Sequence, residues 1–260
     1  LDLKRLLTLL KKELLMHQRN HSLIWIPIVF ILLAIMDPIT TYFLPVILEN
    51  VGGMPEGMTF DVPAVPASEA FGLSLSELSM FGVLITILLT ASSISQERQT
   101  GVSELLLVKP INASHYIGSK ALAKMVVFTG ALVISLLFSW YYVTILFGSL
   151  PLIYMILAII FYSCWFIFVI SLTLTYAAVI RQQYMIVGVT VLTLATGSII
   201  NGIFHHKIPW FYNNLSALIV EMLQTKAVTT DLLLNVGLLL ITSLALLFLS
   251  FSLFERKERL

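Results

Sequence analysis

Apolar residues run along this chain in blocks too long for a soluble core, and the charged residues are gathered into the short intervals between them. At about 1.5 Å of rise per helical residue, a hydrocarbon layer of roughly 30 Å needs about 20 residues to cross. Residues 22–44 form one such block. The roughly 19 uncharged residues between Glu77 and Glu97 make a helix of roughly 28 Å, a second span over 78–95. From Met125 to Ile180 about 56 residues carry no charge, roughly 84 Å of helix, so the chain turns back once within them. The turn is predicted in "FGSLP", residues 147–151, where Gly148 ends one helix and Pro151 suits the start of the next. The third and fourth spans then cover 121–147 and 152–180. "YMIVGVTVLTLATGSIINGIF" supplies the fifth, 184–204, and the uncharged stretch 232–254 between Asp231 and Glu255 supplies the sixth. The pattern predicts an all-α integral membrane protein with six transmembrane helices, a single transmembrane domain over 1–260.

Ahead of the first block, "LDLKRLLTLLKKELLMHQRN" sets Leu3, Leu6, Leu7, Leu10, Leu14 and Leu15 at helical spacing opposite Lys4, Lys11 and Lys12. It predicts an amphipathic helix over 1–21 lying along the membrane surface. Two roles fit it: a polybasic anchor, or a lever that rests on a cytoplasmic partner and moves the first span. Lys and Arg decide orientation, because basic flanks stay in the cytoplasm. They fall before the first span, between the second and third (Arg98, Lys109, Lys120, Lys124), between the fourth and fifth (Arg181) and at the end of the chain (Arg256, Lys257, Arg259); only Lys207 and Lys226 fall elsewhere. Both termini are therefore expected inside. The loop from Glu49 to Glu77, with five acids and no base, is expected outside, where water solvates it.

Composition agrees with a lipid-embedded chain: hydrophobic residues make up 58% and charged residues 11%. A net charge of +1 gives no reason to expect nucleic acid as a partner. The one cysteine, Cys164, sits in an apolar run and is expected to pack. No cleavable signal pattern is evident, so the first span is expected to stay in the membrane.

The most hydrophilic interior stretch is "ISQERQTGVSELLLVKPINASHYIGSK", residues 94–120. Glu97, Arg98 and Glu104 precede Pro110, which interrupts a helix, and Asn112 can cap the next one, running through Tyr116 and Lys120 into the third span. Leu105, Leu106, Leu107 and Val108 suit docking against protein, with the charges meeting a cytoplasmic surface. This run resembles the first cytoplasmic loop of ABC-2 type permeases, the membrane subunits of ATP-binding cassette transporters. Glu97, Arg98, Gly101, Glu104, Leu105, Leu106 and Pro110 match the family pattern E-R-x-x-G-T-x-E-L-L-x-x-x-P; Val102 stands where Thr is usual, and Ser119 precedes Lys120 where Gly is common.

The resemblance implies a subunit without its own engine. No G-x-x-x-x-G-K-[ST] phosphate loop occurs in these residues, so no catalytic residue, metal site or cofactor is assigned to this chain; ATP and Mg would be bound by a partner ATP-binding cassette ATPase. It further implies a second permease, identical or related, and a multi-pass location in a bacterial or archaeal plasma membrane. Glu97 to Pro110, with Lys109, would form a coupling helix seated in the ATPase, and Arg181 with Gln182 and Gln183 a smaller second contact.

The segment after the fifth span, "HHKIPWFYNNLSALIVEMLQTKAVTTD", is amphipathic enough to dip into the outer leaflet. Trp210, Phe211 and Tyr212 suit either an outer gate or ordinary anchoring at the interface. Residues 63–76 are expected to make a matching short element. Adjacent His205 and His206 point apart on a helix and lack a third ligand, so a metal site is not favoured. Asp37, before Pro38, reads as an interfacial residue at a bend, and "TGSIING" as small residues for close helix packing. Gly197, Ser198 and His205 only faintly match an intramembrane serine protease. Two functions stay open: a transport subunit powered in trans, exporting an amphipathic or hydrophobic peptide, lipid or drug, and a membrane scaffold in an ABC complex, for example in metalloenzyme maturation. Secondary transport would call for paired ionisable residues deep in the spans, and Met125 to Ile180 has none.

Overall fold

The structure, a computed structural model, describes residues 2–50, 65–100, 113–204, 207–208 and 210–258. Among them six helices are long and apolar enough to cross a membrane: Ser22–Ile47, Ala67–Gln99, Ser114–Leu146, Leu152–Val179, Gln183–Phe204 and Thr230–Arg256. The first element, α1 (Asp2–Arg19), is separated from α2 (Ser22–Asn50) by a sharp turn at His21, whose φ of 54° is left-handed. Helix α2 stays continuous through Pro27, Pro38 and Pro45.

The second span starts at Ala67, not at residue 78. Helix α3 (Ala67–Glu77) passes through one wide π turn, Leu78–Gly82, into α4 (Val83–Gln99). From Ala67 on, the short element expected over 63–76 is therefore the first part of the span itself. Side-chain hydroxyls bond the wide turn to its neighbour: Tyr162 donates to the Leu75 carbonyl at 2.6 Å, and Ser79 donates to the Tyr162 oxygen at 2.8 Å. One turn earlier, Ser74 donates to the Ala34 carbonyl at 2.6 Å and receives Ser139 at 2.7 Å, joining α3 to α2 and to α5 (Ala113–Leu146).

Gly148, at φ 115°, makes the expected turn, and α6 (Leu152–Val179) begins directly after Pro151. Trp140 closes the turn by donating its indole N–H to the Leu150 carbonyl at 3.1 Å. Helix α6 is the centre of the bundle, packed against α4, α5, α7 (Gln183–Phe204) and α9 (Thr230–Glu258). Phe30, Phe128 and Phe166 fill the middle with ring centroids 5.8–6.1 Å apart, and Cys164 is buried among apolar neighbours. By contrast α2 and α7 leave most of their apolar surface exposed.

At the end opposite α1, a 3₁₀ turn (Tyr212–Asn214) leads into the short helix α8 (Leu215–Thr225), which buries Leu218, Ile219 and Met222. Polar side chains fasten this cap. Asn235 donates to the carbonyls of Trp210 and Phe211 at 3.1 and 2.6 Å, and Asn201 donates to the Asn214 side chain at 2.6 Å. The three aromatics take different places: Trp210 is exposed, while Tyr212, its ring 4.3 Å from that of Phe211, is inserted between α6 and α7 and stacked on Trp165 with centroids 5.6 Å apart. Gly197 makes room for it. The glycine in "TGSIING" thus admits a ring and not a neighbouring helix backbone. His205 and His206 lie outside the described residues.

A Cβ at Gly197 would lie 1.4 Å from the Tyr212 hydroxyl oxygen, so Gly197→Ala must expel the ring from its slot. Overpacking of this kind costs about 1–3 kcal/mol. Thermal unfolding of the purified chain should show a lowered midpoint for Gly197→Ala, partly restored by adding Tyr212→Ala; an unchanged midpoint would mean that the ring does not occupy the slot.

Candidate functional site: a buried charge cluster at the end of α4

The basic end of the bundle must hold charged side chains where the apolar spans stop. Tyr116, Lys120 and Lys124 are four residues apart along α5 and share one face, as do Glu13 and His17 on α1. Those two faces meet with the last turn of α4 between them. The Lys12 ammonium lies 2.6 Å from Glu97 Oε1 and 3.4 Å from Glu13 Oε1. The Lys120 ammonium lies 3.0 Å from Glu97 Oε2 and 3.0 Å from Glu13 Oε1. The result is a closed ring of alternating sign, Lys12, Glu97, Lys120 and Glu13, with Lys120 wholly buried. Tyr116 adds a hydroxyl donated to Glu97 at 2.6 Å, and the Ser93 carbonyl accepts from Lys120 at 3.1 Å.

Arg98, the next residue, is turned about 100° around the helix from Glu97 and meets a different set of neighbours. Its guanidinium donates to the carbonyls of Ala177, Ala178 and Ile180 at 2.7, 3.0 and 3.2 Å, satisfying the last turn of α6, whose end attracts a cation. It also lies 5.0 Å from the centre of the Phe254 ring on α9, and Phe254 stacks on Tyr116. Ser95 donates to the Arg181 carbonyl at 3.0 Å. The final turn of α4 is therefore bonded or packed to α1, α5, α6 and α9, and the chain then enters residues 101–112.

Of the residues assigned to coupling from the sequence, Glu97, Arg98 and Arg181 come together here. Gly101, Glu104, Leu105, Leu106, Lys109 and Pro110 lie outside the described residues. The expectation that the charges of Glu97 and Arg98 meet a cytoplasmic surface is corrected: both side chains are spent on bonds within the chain. Helix α1 also departs from expectation. Leu7 and Leu15 of its leucine stripe remain exposed, while Glu13 and His17 are the buried side chains, because Glu13 joins Glu97 in neutralising the buried Lys120 charge. Glu13 and His17 were missed because a helical wheel assigns them no partner; the lysines at 120 and 124, inside a helix otherwise apolar, were the available signal.

Burial disfavours a charge on Lys12, yet Glu97 and Glu13 outweigh it and raise its pKa above the usual lysine value. His17 accepts or donates at 2.7 Å with Ser22. Burial, then the Lys124 and Lys120 charges, push its pKa down to about 4.

Two measurements follow from the cluster. Lys120→Met leaves two carboxylates buried with a single counter-charge, and breaking a buried pair commonly costs about 3–5 kcal/mol. The variant should unfold well below the parent chain in a detergent melting series, and Lys120→Met with Glu13→Leu should recover much of the loss. His17 is neutral in the folded chain, so its contribution is complete above the unfolded-state pKa of 6.5 and falls away as the pH drops toward about 4. The midpoint of the parent chain should therefore fall more between pH 7 and pH 4.5 than that of His17→Gln; parallel curves would contradict a buried neutral imidazole.

The chain is similar over residues 7–259 to the family described as ABC-2 family transporter protein. It is also 29% identical over 180 residues to the uncharacterized transmembrane protein YxlG of Bacillus subtilis (strain 168), covering 69% of this chain and 70% of the relative. The six apolar helices, the amphipathic first helix and the E-R-x-x-G segment leaving α4 accord with that match across nearly the whole length. This chain, a multi-pass membrane protein, belongs to the ABC-2 family of transporter proteins.

Proposed function

We propose that the chain is the permease subunit of an ABC exporter, driven by a separate ATPase and working beside a second permease, with both of its own termini in the cytoplasm. The observation that carries the reading is the connection made by the last turn of α4. A push on residues 101–112 reaches α1 and α5 through Glu97, and α6 and α9 through Arg98, because each contact is a short charge-assisted bond or a packed ring. The segment Glu97–Pro110 is the element received by the ATPase, which binds and hydrolyses the ATP, and Arg181 provides the second contact. Within that segment Glu97 and Arg98 pass force inward, leaving Glu104 and Lys109 for the ATPase surface. The exposed faces of α2 and α7 leave room for lipid or the second permease. Trp210, Phe211 and Tyr212 form the outer gate, with Tyr212 as its moving plug. The apolar character of the spans favours an amphipathic or hydrophobic cargo.

Two experiments test this. A reporter after Leu260 and a cysteine at Asp61 should report opposite sides of the membrane, and buried Cys164 will not compete for the label. Labelling of both from outside would contradict the six-helix topology. Co-purification of the ATPase should be lost with Glu104→Lys, at a cost of about 2–5 kcal/mol for breaking a desolvated charge contact, and kept with Glu56→Lys. Full retention by the inserted Glu104→Lys chain would remove Glu104 from the interface.

A further inference from the structure

A cavity of about 610 Å³ lies between α4, α6 and α7 beneath the 3₁₀ turn and α8. Its volume is that of a small-molecule site. The lining is graded along its length. Ser76, Ser79, Ser198, Asn213 and Ser216 gather at the α8 end, and Val83, Ile87, Val191 and Leu194 extend toward the middle of the bundle. Ser79 to Ile87 covers about 12 Å of helix, the depth of the apolar part. Met80, Leu84 and Val191 are exposed and form a lateral mouth between α4 and α7, so access is from the side, not along the bundle axis.

Among the described residues, none that lines the cavity carries a charge. An ionised headgroup would be buried there without a partner, which is far costlier than burying a neutral one with hydrogen bonds. Unspent hydrogen-bonding capacity is present at the polar end: Ser198, Ser216 and Asn213 line the cavity and have no side-chain hydrogen bond among the described residues. The wall holds a further group without a partner among the described residues, since Trp165 is 8% exposed and its indole N–H finds no acceptor among them. Tyr212 lies flat against Trp165 and covers it.

We infer that this cavity is a binding site for an uncharged amphiphile, its hydroxyl, ester or amide head among the polar residues under α8 and its hydrocarbon entering between Met80, Leu84 and Val191. The inference rests on the transporter reading above for its meaning as cargo recognition. Selectivity against anions and cations follows from the uncharged lining, and selectivity against plain hydrocarbon from the polar end.

The test uses the full chain in phosphatidylcholine nanodiscs and a monoacylglycerol bearing a photoactivatable diazirine, beside the fatty-acid carboxylate of the same chain length. The monoacylglycerol should label peptides within 76–87 and 191–198 saturably. Ala195→Trp, which fills the cavity from α7, and Ser216→Trp, which fills it from α8, should each lower labelling about tenfold. Leu192→Trp, on the exposed face of the same helix, should leave it unchanged. Non-saturable labelling, equal labelling of the filled variants that keep the parent melting point, or equal saturable labelling by the carboxylate would each overturn the inference. Labelling needs no ATPase, so loss of ATPase association with labelling intact would sink the transporter reading alone, and loss of labelling with the ATPase complex intact would sink only the site.

Discussion

The ring of Lys12, Glu97, Lys120 and Glu13 is the contact on which the arrangement of the basic end depends. Glu13, Glu97 and Lys120 are buried charges at the edge of an apolar bundle, none tolerable there alone, and the half-exposed Lys12 completes the set. Closed into alternating sign, they neutralise one another and fix three separate segments, α1, α4 and α5, in one register. An exposed pair of the same residues would contribute little. Burial is what makes the ring decisive, because removing any one member strands its neighbours.

Glu97 and Arg98 make the last turn of α4 serve two directions at once. Adjacent helical positions are turned about 100° from each other, and that offset divides the load between the α1–α5 side and the α6–α9 side. A segment entering residues 101–112 from such a turn cannot shift without moving the helices bonded to it or breaking several charge-assisted bonds. The proposed coupling to an ATPase uses this stiffness: the bundle receives displacement at one point and distributes it.

The other end is organised by neutral groups. Asparagines at 201, 214 and 235 satisfy backbone and amide atoms of the cap, and Tyr212 occupies a slot that Gly197 leaves open. These bonds are uncharged, unlike those of the basic end, and the buried Leu218, Ile219 and Met222 of α8 pack beside them. The hydroxyl pairs of Ser74 with Ser139 and Ser79 with Tyr162 lie between the two ends and hold α3 against α2, α5 and α6.

Much of this protein was legible in its residues. The gaps between charges located the six apolar helices because a bilayer sets a minimum length and excludes unpaired charge, both properties of the chain in one dimension. Gly148 and Pro151 marked their turn for equally local reasons, and the E-R-x-x-G run carried the family resemblance. The start of the second span at Ala67 was hidden because Glu69 and Glu77 interrupt the uncharged pattern without ending the helix, whose wide turn is bonded by Tyr162 from a distant segment. Tertiary structure alone decided that Glu97 and Arg98 face inward, that Glu13 and His17 are the buried side of α1, and that Tyr212 leaves the interface for a slot beside Gly197. The physical reason is common to all of them. A polar side chain is buried only where its partners are, and those partners stand on helices tens of residues away, a relation that local periodicity does not contain.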